Sequence, residues 1–179
     1  RSGEEYGPRI FTVGPYFQKD IPMGIDSTVN TVEEAVELYN KYRNKIDGVK
    51  IYDRITEEQL DTLSILADKD SLLVLAHLYN NLSASKAIDL GLDIISHGIW
   101  CIPDVRPKIE GSPFCQMAEI DLNSEITKKL IQKIVDKNVA VCPTITALET
   151  TDENFEYLLP EWRIYLNDTS KKVYKHAYK

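Results

Sequence analysis

Three residues in this chain combine a reactive side chain with a recurring position. Lys50 lies inside the apolar stretch Gly48–Tyr52. His77 follows directly on the run Leu72–Ala76, and His97 follows on Asp93-Ile-Ile-Ser96. Imidazole is the commonest protein ligand for zinc and similar metals. A lysine withdrawn from water is a neutral amine, able to act as a nucleophile or to form a Schiff base. Each residue alone also has a plain reading, as a satisfied polar group or a surface charge. The pattern gains weight from repetition, because three successive apolar runs carry such a residue at or just past their ends.

The elements around these residues alternate. Arg9–Gly14 is an apolar, β-branched run closed by Gly14-Pro15, which predicts a first strand. Thr31-Val-Glu-Glu34 predicts a capping box opening a helix with Val32, Ala35, Val36, Tyr39 and Tyr42 at helical spacing. A strand is expected at Gly48–Tyr52, and a second capping box at Thr56-Glu-Glu-Gln59 opens a helix with Leu60, Leu63, Ile65, Leu66 and Ala67. Ser71–Ala76 reads as a strand buried on both faces. Ser83 caps a short helix ended by Gly91, Asp93–Ser96 is a strand, Ser124–Lys137 is an amphipathic helix, and Val139–Cys142 is a fifth strand stopped by Pro143. Such alternation implies a parallel sheet covered by helices. No Gly-rich phosphate loop follows the first strand, so part of a closed barrel is favoured over an open nucleotide-binding sheet. In such barrels the C-terminal strand ends share the active-site rim, which would bring Lys50, His77 and His97 together.

These stretches resemble the amidohydrolase superfamily, with the imidazolonepropionase-like and prolidase-like hydrolases as the nearest branch. The resemblance rests on Lys50 in VKIYD, His77 in LLVLAHL, His97 in DIISHG and the intervening AIDLGLD, and it runs from GPRIFTVGP through VAVCPTITALE. It implies a metal-bearing (β/α)8 TIM barrel, of which residues 1–150 would form about strands three to seven. It further implies a carbamylated Lys50 bridging two divalent metals, with His77 and His97 as ligands of the second. Zinc is the expected metal, with manganese and iron as alternatives. The implied reaction is hydrolysis of a carbon–nitrogen bond in an amide, cyclic amide or dipeptide through metal-activated water. The family's first-strand His-x-His pair and eighth-strand Asp have no counterpart here. The chain, which begins Arg1-Ser2-Gly3 without Met, is therefore expected to be a piece of a longer protein, metal-free or partly occupied when isolated.

Tyr52 and Tyr79 stand two residues after Lys50 and His77 and are candidates for substrate contact or for packing on the rim. Gly98–Asn123 reads as a loop long enough to form a lid, with Trp100 and Phe114 as apolar closers, or equally as a disordered insertion; Asp53 and Asp104 are acidic candidates on the same rim. Residues 151–179, rich in Tyr and Lys, read as a helical insertion or tail, and His176 within them as a surface residue. Five strands leave open sheet edges, so a homo-oligomer is expected.

Composition narrows the partners. Lys plus Arg number 21 against 28 Asp plus Glu among 179 residues, a net charge of −7 that disfavours a nucleic-acid surface. No apolar run approaches the roughly 18 residues of a membrane-spanning helix. Cys101, Cys115 and Cys142 form no CxxC pair, so neither a disulfide framework nor a zinc ribbon is indicated. A cytoplasmic setting is expected, with export left open. Two readings from other classes stay open beside the hydrolase: a catalytically inert barrel segment serving binding or assembly, and a lysine Schiff-base enzyme built on Lys50.

Overall fold

The structure, a computed structural model, describes residues 7–19, 28–52, 54–78, 82–105 and 120–144. The chain divides into two compact units, Arg1–Pro143 and Thr144–Lys179, and the architecture that follows is that of the first. The expected helical tail 151–179 lies outside the described residues.

Helix starts are set by short polar side chains. Thr31, Thr56, Ser83 and Ser124 each sit in extended backbone and accept the N–H three residues on. They open α1 (Val32–Tyr42), α2 (Glu57–Lys69), α3 (Ala84–Asp89) and, after a shorter α4 (Ile102–Val105), α5 (Glu125–Asp136). Thr56 and Gln59 complete a reciprocal capping box, as expected. At Thr31 the reciprocal half is displaced: the Glu34 carboxylate accepts from Asn30 N at 2.6 Å.

Helix ends are equally regular. Ser71, Gly91 and Asn138 take left-handed backbone angles one residue beyond the caps of α2, α3 and α5. Each donates its N–H to the carbonyl three residues back, and the following residue bonds to the carbonyl five back (Leu72 to Ala67, Leu92 to Ala87, Val139 to Ile134). This doubly bonded reversal closes the last helical turn and returns the chain to the sheet within a few residues.

Among the described residues the sheet contains five parallel strands in sequence order: β1 (Tyr16–Phe17), β2 (Gly48–Ile51), β3 (Leu73–Ala76), β4 (Ile94–Ser96) and β5 (Ala140–Cys142). Four of the five expected strands stand where the apolar runs are. The first does not. Ile10 and Phe11 are exposed, and Thr12 exchanges bonds with Asp47 ahead of β2. Pairing begins only after Gly14 (φ +68) and Pro15 redirect the chain, with Tyr16 level with Lys50. At the other end of β2, a Cβ on Gly48 would lie 2.9 Å from the Leu73 carbonyl, so strands β2 and β3 meet where only glycine fits.

Side chains alternate across the sheet. Phe17, Val49, Ile51, Val74, Ala76 and Ile95 are each at most 1% exposed and share a core with Tyr39, Leu60, Leu63, Ala87 and Leu130 of the helices. The opposite, inner face carries Tyr16, Lys50, Leu73, Leu75 and Ile94, and it is open in places. Leu73 is 54% exposed, which corrects the expectation of a strand buried on both faces. The physical reason is that helices cover only the outer layer, and no strand opposes the inner one among the described residues. No helix among the described residues is long and apolar enough to cross a membrane.

Candidate metal centre at the C-terminal end of the sheet

The ladder continues one residue past the strand ends. Tyr52 N donates to Phe17 O, His77 N to Ile51 O and His97 N to Cys142 O, at 2.8, 3.0 and 2.8 Å. These bonds hold the three residues in register where the chain leaves the sheet. From the pairing, Tyr52, His77, Ser96 and Cys142 share one level on the inner face, and Lys50, Leu75, Ile94 and Ala140 share the level below.

His97 is out of phase with this row, since Ser96 takes the inward position. Its backbone adopts φ 66 and ψ 104, outside strand geometry, and turns the side chain back toward His77. The two rings meet edge-on with centroids 5.0 Å apart. His77 also lies against Tyr52 at 4.6 Å and Trp100 at 4.8 Å, and Tyr52 stacks on Tyr16 at 5.0 Å. An aromatic row thus runs from β1 to the turn after β4. Below it, Lys50 Nζ donates to Ser96 Oγ at 2.8 Å.

Burial sets the electrostatics. It holds the His77 pKa down at about 4, with the nearby His97 and Lys50 adding to the shift. His97 is lowered by burial and then by Lys50. Lys50 is lowered by burial too, with the Cys142 thiol acting in the opposite direction. Near neutral pH both imidazoles are therefore uncharged, the form that offers a lone pair to a metal.

Lys50, His77 and His97 are thus brought together at one end of the sheet, with Tyr52 against His77. Tyr79, Asp53 and Phe114 lie outside the described residues. The Asp104 carboxylate is taken up by a helix start. Its two carboxylate oxygens accept from Ala84 N at 2.7 Å and Ser85 N at 3.0 Å, holding α4 to the start of α3. The expected lid loop is likewise helical over its first eight residues, as a 3-10 turn Gly98–Cys101 followed by α4. Sequence reasoning missed Ser96 as the partner of Lys50. Its signal was present: a hydroxyl in an otherwise apolar strand, one step before His97.

Among the described residues, no group of three or more His, Cys, Asp or Glu side chains stands close enough to hold a metal. The two imidazoles, edge-on at 5.0 Å, are of a chemical type that could serve as two ligands of such a site.

No protein-family model matches the sequence, and a comparison with characterised proteins found no match. Solved structures do resemble it. One is a Xaa-Pro dipeptidase with methionine bound in its active site, at 19% identity and a TM-score of 0.57, covering 98% of this chain and 43% of that one. Another is a bottromycin amidohydrolase, at 15% identity and a TM-score of 0.53, covering 92% of this chain and 40% of that one. This chain accordingly spans about two fifths of the length of either. Its five parallel strands alternating with helices have the fold of part of an amidohydrolase TIM barrel.

Proposed function

We propose that this chain is the part of a metal-dependent amidohydrolase that contributes Lys50, His77 and His97 to a divalent metal centre, with zinc as the metal. The substrate would be a small molecule or dipeptide whose carbon–nitrogen bond is hydrolysed. The observation supporting this most directly is the pair of uncharged imidazoles, edge-on at 5.0 Å, at the C-terminal end of parallel strands. A divalent ion held there would supply Lewis acidity and an acidified water.

The chain's own residues prepare that centre. His77 and His97 supply imidazole nitrogens, and burial favours their uncharged form. Tyr52 and Trp100 pack on the His77 ring and restrict its rotation. Lys50, as a carbamate, would add an anionic oxygen ligand to the two nitrogens. Tyr52 would also face the substrate, and Tyr79 is proposed for the same role. The remaining ligands and the general base would come from residues beyond this set.

The test is zinc titration by calorimetry on the wild type, His77→Ala and His97→Ala. Weak binding in the wild type, reduced by on the order of tenfold or more in each variant, is the expected result. Equal binding in all three would overturn the reading. A second reading, an inert barrel segment for binding or assembly, is consistent with the described residues, among which no group of three or more His, Cys, Asp or Glu stands close enough to hold a metal. Equal binding in that experiment would support it.

A further inference from the structure

Lys50 and Ser96 meet only because a side chain crosses a strand. Lys50 is level with Leu75 on β3 and Ile94 on β4, and Ser96 lies two residues further along. Strands β2 and β4 are two spacings apart, roughly 10 Å. The Lys50 side chain therefore spans the inner face of β3 before Nζ donates to Ser96 Oγ at 2.8 Å. Both residues are buried, at 9% and 6% exposure. Ser96 Oγ is the one hydrogen-bond partner of Nζ among the described residues, and no carboxylate there forms an ion pair with it.

We infer that Ser96 is a positioning residue for Lys50, holding one N–H of Nζ so that the amine, once deprotonated, turns its lone pair toward carbon dioxide at the His77–His97 end of the sheet. The inference rests on the proposed reading of Lys50 as a ligand precursor. In the addition, the Nζ lone pair forms the new N–C bond, and one C=O electron pair moves onto oxygen to give the carboxylate. One N–H proton leaves to solvent. The other N–H stays on Ser96 Oγ, so the product inherits the orientation of the amine. No oxidant or reductant takes part.

Cyanate, isoelectronic with carbon dioxide but forming a stable adduct, reads this geometry with no metal present. The full chain is labelled with cyanate, and the adduct at Lys50 is quantified by peptide mass spectrometry against the exposed Lys128. In Ser96→Ala the Lys50 rate should fall on the order of tenfold relative to Lys128, and Ser96→Thr, which keeps the hydroxyl, should stay within about twofold of wild type. A hydroxyl that merely fills space predicts an unchanged or faster Lys50 rate in Ser96→Ala, and that result overturns the inference. Should Ser96→Ala show no cooperative thermal melt, Ser96→Cys, of similar shape and a weak acceptor, is read by the same criterion. Zinc calorimetry on the same proteins reports separately on the metal centre. A wild type that ignores zinc refutes the proposed function, while the cyanate ratio still decides the role of Ser96.

Discussion

His97 lies edge-on to His77, with ring centroids 5.0 Å apart and planes at 80°, although the two residues leave their strands out of phase. His77 is level with Ser96, so a regular strand would send the next side chain to the helix-covered face. The left-handed backbone at His97 reverses that outcome. Its amide stays bonded to Cys142 O, so the turn is held from the neighbouring strand. A non-glycine residue held in a sparsely populated conformation beside reactive groups is where proteins store local strain for function.

Burial of His77 makes stability depend on pH. Its folded pKa, about 4, lies below the 6.5 of a free imidazole. Between those values the unfolded chain binds a proton that the folded chain refuses, so stability is full above the unfolded value and declines as pH falls through the window. His97 shifts in the same direction. Melting temperature should therefore drop between about pH 7 and about pH 5, and the slope should be shallower in His77→Gln. Equal slopes in the two proteins would show that His77 is not buried in its neutral form.

The same shift governs proton release on metal binding. A histidine with an ordinary pKa is partly protonated near neutrality and must lose that proton to bind a metal. His77 is already neutral there. Zinc calorimetry in buffers of different ionisation enthalpy should give nearly the same heat at about pH 7. Strong dependence on the buffer would contradict the depressed pKa values.

Ser71 and Asn138 occupy left-handed positions beyond α2 and α5, at φ 57 and 53, where α3 has Gly91. Glycine carries no steric penalty there. Ser71→Gly and Asn138→Gly should each stabilise the fold by a few tenths to about 1 kcal/mol, with Asn138→Gly giving the smaller gain because Asn tolerates this region. Denaturant titration measures the effect, and a loss of stability in Ser71→Gly would count against the reversal described at this helix end.

Asp104 ties two helices through two backbone N–H groups at the start of α3. Removing its carboxylate leaves both donors unanswered. Asp104→Ala should cost about 1–2 kcal/mol in denaturant unfolding, in the range of a lost helix cap. A change within experimental error would mean that water replaces the carboxylate without penalty.

Among the described residues strand β5 ends the row of pairings, and all three of its residues are exposed, Val141 at 40%. An apolar edge strand invites pairing with another chain. Sedimentation should show concentration-dependent self-association, reduced in Val141→Lys, which places a charge on that edge. A monodisperse monomer at all concentrations would overturn this expectation.

Much of this fold was legible in the sequence because the deciding interactions are local. Thr31, Thr56, Ser83 and Ser124 cap helices through N–H groups three residues away, a separation that any reading of the chain can see. The apolar runs before His77 and His97 became β3 and β4, and in a parallel sheet their C-terminal ends must point the same way. That Lys50, His77 and His97 belong at one end followed from those two facts. The remainder depended on partners distant in the chain. Arg9–Gly14 has the composition of a strand, yet the ladder to β2 starts at Tyr16, because register is set by the neighbouring strand and not by the run itself. Asp104 reads in the sequence as an acidic rim candidate, and only folding decides that its carboxylate meets the first N–H groups of α3. Ser96 is 46 residues from Lys50, and only the stacking of β2, β3 and β4 makes it the hydroxyl that meets the amine. Leu73 has the hydrophobicity of a core residue but faces the open side of the sheet, since the side that is covered depends on where the helices pack.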